Sequence, residues 1–162
     1  MRKFAVPALL VLVVGIAVAF RFAPDSPLAA VEGVWKAVEV TRTAGDSTST
    51  TALTQANIMI FTKGHYAALR VTGGPEPRAT LPEDATDEQR LEGWRRFAAN
   101  AGTYQMSGAE MTTTVMVAKN PNIMADGVTS TSTVEVQGDV MYRTFTNQET
   151  GVTQRVKYMR VE

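Results

Sequence analysis

The sequence holds one histidine and no cysteine. His65 alone could serve as an axial haem ligand or a general base. It follows the turn signal Lys63-Gly64, with no second histidine and no acid partner close in sequence. It therefore reads as a surface or cavity-rim residue. The lack of cysteine excludes disulfides, thiolate metal sites, a cysteine nucleophile and lipid attachment at a lipobox cysteine. Carboxylates cluster at Glu83-Asp84 and Asp87-Glu88. The ligand spacing of a calcium loop is missing, so they read as the solvated approach to a helix. Asn120-Pro121-Asn122 gathers amides as a turn between strands does. No Gly-x-Ser-x-Gly elbow is present, and Ser107 sits in a Met-Ser-Gly turn. The expectation is no catalytic residue, no metal site and no cofactor, and the reading leans away from an enzyme.

The elements that would position any site begin after an apolar leader. Arg2 and Lys3 precede an apolar run from Phe4 to Phe20, interrupted by Pro7 and Gly15. Ala17 and Ala19 have the small-residue spacing of a signal-peptidase site, so residues 1–19 read as a signal peptide cleaved after Ala19. The alternative is an uncleaved membrane anchor over residues 4–20, a little short of the roughly 20 residues of a spanning helix. Either way the chain is expected to be exported, to the periplasm or beyond. Residues 20–31 read as a linker, with two prolines and no periodicity. The remainder, 32–162, is a normal size for one domain. The chain carries 16 basic and 16 acidic residues, and loss of Arg2 and Lys3 would leave 14 against 16. That balance argues against a nucleic-acid partner, which requires a basic field.

Beyond Val31 the dominant signal is the β-strand. Strands are expected at 34–42, 57–63, 65–71, 102–108, 110–119, 127–137, 140–147 and 151–162, mostly joined by short turns. Residues 45–55 read as a polar loop. Between the third and fourth strands, Thr86 and Gln89 fit a capping box. Leu91, Trp94 and Ala98 recur at helical spacing with Phe97 beside them, which predicts a short helix over about 87–99. Its apolar face would either pack on the barrel or form a lid. The absence of strand–helix alternation excludes a parallel sheet. The expected fold is all-β, an eight-stranded antiparallel barrel with one short helix inserted between strands 3 and 4.

Gly33-Val34-Trp35 opens the first strand, and this placement resembles the lipocalin and fatty-acid-binding-protein superfamily of barrels. Glycine lets the chain turn sharply, and the indole buries a large apolar area. The resemblance implies that Trp35 closes the narrow end, with a basic side chain of the last strand over its ring. Arg155, Lys157 and Arg160 are the candidates, and Gly33, Trp35, Arg155 and Arg160 are assigned to the barrel floor. The chain is more closely similar to small bacterial lipocalin-like domain proteins, many of which are exported. The matching stretches are Gly33–Val38, Ile60–Tyr66, Phe97–Tyr104 and Val117–Asn122. The helix departs from the classical lipocalins, whose main helix follows the last strand.

The function this implies is non-catalytic binding of a small hydrophobic or amphipathic molecule inside the barrel. The expected ligand-binding residues are Trp35, Phe61, Tyr66, Trp94, Phe97, Tyr104, Tyr142 and Tyr158. Ala37 and Val115 are expected to share the interior, although a one-residue slip in register would exchange the two faces. Two alternatives stand beside this reading. One is a solid barrel acting as an envelope interaction or structural module. The other is an isomerase or cyclase working on a lipid-like substrate. Membrane contact is expected only through the N-terminal segment, if it is retained. Ligand identity and oligomeric state are not legible.

Overall fold

The computed structural model describes residues 27–162, with side chains from Leu28 onward. The expected signal or anchor and most of the linker lie outside the described residues. Nine strands run in chain order: β1 (Gly33–Ala44), β2 (Ser47–Ala52), β3 (Asn57–Thr62), β4 (His65–Val71), β5 (Phe97–Ser107), β6 (Glu110–Ala118), β7 (Thr129–Gln137), β8 (Val140–Thr146) and β9 (Thr153–Arg160). Every neighbour pairs antiparallel, and β1 pairs with β9 to close the sheet. β2 and β3 lie end to end on the same side of β1, opposite residues 39–44 and 33–35 respectively. Together they fill one place, so the closed barrel has eight strands.

Residues 45–55 therefore correct the sequence reading, because six of them form β2. All six β2 residues are exposed. With both faces wet, they show no alternation of apolar and polar residues. Threonine pairs hold the β1–β2 ribbon from outside the core: Thr41–Thr50 at 3.0 Å and Thr43–Thr48 at 3.2 Å. Where β1 passes from β3 to β2, the Asn57 side chain replaces the missing ladder. It accepts from Ala37 N at 2.7 Å and donates to Ala37 O at 2.9 Å.

The helix is also corrected. It is α2 (Asp87–Arg95), following the short α1 (Pro27–Val31), and it lies between β4 and β5 because β2 adds a strand before it. Its start follows local chemistry: Gln89 N donates to Thr86 Oγ1, and Thr86 N to Gln89 Oε1. Its end is earlier than expected. Phe97 and Ala98 leave the helix and pair with Val71 and Arg70 in the β4–β5 ladder. α2 packs against β5 and buries none of its own residues.

Two bulges set which faces point inward. One falls between Ala37 and Glu39 on β1, the other where β5 and β6 shift register at Ala101 and Gly102. The alternation along β6 sets Met111, Thr113, Val115 and Val117 on one face, and the first three do share the inner face. Beyond the bulge, Val117 is carried to the outside, where it is 58% exposed. Gly102 allows this crossing. A Cβ there would fall onto the Thr114 carbonyl and reach Met116 N at 3.0 Å. Gly102→Ala is expected to destabilise the fold by about 1–3 kcal/mol, as overpacking does, measured by urea titration. Among the described residues, the closed ladder, its floor and its core run from Leu28 to the last strand.

Candidate functional site

The narrow end is closed by Trp35, which is fully buried. Its Nε1 donates to Val31 O at 2.8 Å, so residues 27–31, read as the end of a linker, are tied under the barrel as α1. The Arg160 guanidinium lies 4.1 Å from the indole centroid. It also donates to Glu32 O at 2.7 Å and Ala30 O at 3.1 Å, and faces Asp139 at 3.6 Å. Gly33 makes room for this clasp. Its φ is +128°, and a Cβ there would stand 2.6 Å from both Arg160 Nη1 and Glu162 O. Phe61, Tyr104, Met111 and Met141 complete the buried floor. The Tyr104 ring meets Phe61 edge-on at 5.1 Å, and its hydroxyl donates to Thr62 O at 2.9 Å.

Above this floor the barrel is hollow. A cavity of about 1670 Å³, counted with its open mouth, runs up between the inner rows. Ala37, Met59, Ala68, Val115 and Val156 give it apolar walls, and Tyr66, Tyr158, Thr113, Ser132 and Arg143 a polar inner end. Arg42 and Arg70 stand nearer the mouth. Glu110 is the acidic residue at its edge, exposed beside the inward-facing Met111.

Arg143 is the unusual group. It is only 3% exposed. Its Nε and Nη2 both turn to the Ser132 hydroxyl, at 3.3 and 3.0 Å, and its Nη1 to the Met59 sulfur at 3.5 Å. Phe145 and Phe61 flank the guanidinium at 4.9 and 5.8 Å. A thioether is a weak acceptor, and one hydroxyl is shared by two donor nitrogens. No carboxylate answers the charge: the ion pairs among the described residues are Arg155–Glu135 and Arg160–Asp139. Burial pushes the Arg143 pKa below its ordinary value, opposed by the phenols of Tyr158 and Tyr66. Burial likewise raises both phenols, opposed chiefly by the Arg143 charge. The guanidinium remains charged at neutral pH, and a buried charge without a counterion costs several kcal/mol.

The expected site residues divide into four groups. Tyr66 and Tyr158 line the cavity. Trp35, Phe61 and Tyr104 pack beneath it as floor. Tyr142 stands outward, between the inward-facing Met141 and Arg143, with the Arg155 guanidinium 4.0 Å from its ring. Arg155 thus belongs to the outer wall, where it pairs with Glu135 at 3.0 Å, and Arg160 alone supplies the cation of the floor. Trp94 and Phe97 lie outside the barrel cavity. Trp94 is 56% exposed, with the Lys119 ammonium 4.9 Å from its ring centroid. That ammonium donates to the carbonyls of Trp94 and Phe97. His65 is exposed, as expected of a rim or surface histidine. Arg96 secures the loop after β4 through the carbonyls of Thr72, Glu76 and Pro77.

Sequence reasoning missed Arg143, Ser132 and Thr113. The signal was present as the alternation Met141, Arg143, Phe145, but choosing Tyr142 as the inward residue put the arginine on the wrong face.

No family model matches the chain, and no curated protein matches it. Among solved structures it is similar to a lipocalin-like protein from Bacteroides uniformis, with 14% identity and a TM-score of 0.47, covering 81% of this chain and 98% of that one. It is also similar to an uncharacterized protein from Bacteroides eggerthii, with 14% identity and a TM-score of 0.42, covering 78% and 97%. The closed antiparallel sheet, the Gly33–Trp35 opening and the Arg160 clasp describe the chain in their own right: it folds as an all-β, closed eight-stranded antiparallel barrel.

Proposed function

We propose that the protein is an exported, non-catalytic carrier or sensor of a small amphipathic molecule with an anionic head. The observation that supports this reading is Arg143, a buried cation without a counterion at the inner end of a solvent-connected cavity. An incoming carboxylate or similar acid would supply the missing charge, with Tyr66, Tyr158 and Ser132 as neighbouring hydroxyls. The apolar body would lie along Met59, Ala68 and Val156 towards the mouth. A charge-assisted hydrogen bond in such a site contributes about 1.5–3 kcal/mol.

Export rests on the composition of residues 1–20, with cleavage after Ala19 leaving Phe20 as the first residue. Binding is tested by displacement of a fluorescent fatty-acid probe. Palmitate is expected to compete at least tenfold better than hexadecanol, a neutral molecule of equal chain length. Equal competition by the two, or no uptake of the probe, would overturn the reading.

A further inference from the structure

The outer wall formed by β3, β4 and β5, with the adjoining ends of β1 and β6, has a composition that the cavity does not explain. The ladder registers align Val34, Ile60, Ala67, Ala101 and Val117 across five strands, one apolar residue from each. On the next outer row, Ile58, Leu69 and Ala99 are neighbours. Ile58 and Leu69 are exposed, as are Met116 and Val117. Soluble monomers rarely leave a continuous apolar stripe of this kind uncovered.

The charges around it have one sign on the wall itself. β3, β4 and β5 contain no aspartate or glutamate. Lys36 stands at one end of the second row, paired with Met159 on β9. Lys119 stands at the other, its backbone N donating to Ala99 O at 2.8 Å. Lys63 occupies the β3–β4 turn. Acids stand around it rather than on it: Glu162, whose backbone O accepts from Val34 N at 2.8 Å, Glu32, whose charge reaches Tyr104 of β5, Glu39 and Glu110 on the flanking strands, and Asp87, Glu88 and Glu92 on α2. Beside Lys119 is the exposed ring of Trp94, an aromatic type enriched where water meets lipid.

We infer that this wall rests on an anionic lipid surface, with the strands lying along the bilayer rather than across it. Apolar rows flanked by lysines match the acyl boundary and the phosphate layer. A leader retained as an anchor would suit the same partner: its apolar run Phe4–Phe20 would lead into α1, which packs against β5, a strand of this wall. A second copy of the chain fits less well, because a twofold contact across these rows would press together two walls whose central strands β3, β4 and β5 offer no carboxylate to the lysines.

The test is flotation with vesicles of phosphatidylcholine containing 30% phosphatidylglycerol. It uses the chain from Pro27, which contains the whole barrel, so that the leader cannot carry the binding. The protein should float with these vesicles, and at least fivefold less with pure phosphatidylcholine or in 0.5 M salt. Ile58→Ser/Leu69→Ser and Lys36→Glu/Lys63→Glu should each reduce flotation about tenfold. Both should keep the parent melting transition, and Lys36→Glu/Lys63→Glu should keep the parent fatty-acid uptake, because neither lysine borders the cavity. Absence of flotation, or variants that float as well as the parent, would overturn the inference. So would a dimer in sedimentation that Ile58→Ser/Leu69→Ser dissolves, since the wall would then be an interface between copies.

Discussion

Replacing Arg143 with methionine should leave the empty barrel as stable as before, or more stable by about 1–4 kcal/mol, while weakening capture of an acidic ligand ten- to a hundredfold. The two effects have one cause. Arg143 is nearly sealed from water and is met only by a hydroxyl and a thioether. Taking a charge out of water costs more than such partners return, and replacement of buried charged groups by apolar side chains of similar volume is often neutral or stabilising. When an acid enters the cavity the balance reverses, because the charge-assisted hydrogen bond adds about 1.5–3 kcal/mol that methionine cannot supply. Urea titration of the unliganded protein measures the first effect, and probe displacement by palmitate the second. Hexadecanol should bind the variant about as well as the parent. A variant that is less stable by several kcal/mol yet binds palmitate normally would make Arg143 a structural group and remove the ligand argument.

Trp35→Ala is expected to cost about 3–5 kcal/mol, the range for deleting a large buried aromatic side chain. Here one residue carries several contacts. The indole fills the narrow end, donates to Val31 O, and lies under the Arg160 guanidinium. Its loss would free α1 and leave Arg160 stacked on nothing. Domains of this size are stable by roughly 5–15 kcal/mol in total, so the variant should unfold at a markedly lower urea concentration. Trp35→Phe keeps most of the volume but loses the hydrogen bond to Val31, and should recover a large part of the stability. A change near zero for Trp35→Ala would show that the floor does not depend on this residue.

Much of the barrel was legible because its determinants are local. Alternation put Met111, Thr113, Val115 and Val117 on one face, right for the first three and wrong for Val117 because the bulge intervenes, and short glycine-containing turns marked the hairpins. The helix start at Thr86 could be read because a capping box needs only four consecutive residues. Its end could not. Phe97 continues the helical spacing of the apolar residues, and it is drawn into β5 only by pairing with Val71, 26 positions earlier in the chain. β2 was hidden for a different reason. Its residues, Ser47–Ala52, are exposed on both faces, so burial leaves no period in the sequence.

The floor was legible in outline. Gly33 and Trp35 stand together in the chain, and the last strand offered three cations for the indole. Which of them stacks is decided by the β1–β9 register, which sets Arg160 opposite Trp35 and Arg155 opposite Thr41. The candidate site was hardly legible at all. Tyr66 and Tyr158 were identified as interior residues, but the same reasoning turned β8 by one residue and pointed Tyr142 inward. Side chains alternate with a period of two, so that single step exchanges Tyr142 for Arg143. The sequence by itself determined a β-rich domain with a glycine–tryptophan opening and an apolar leader. Only the closed sheet decided that an arginine without an acid faces the cavity, because a strand's inward phase is set by its neighbours and its bulges rather than by its own residues.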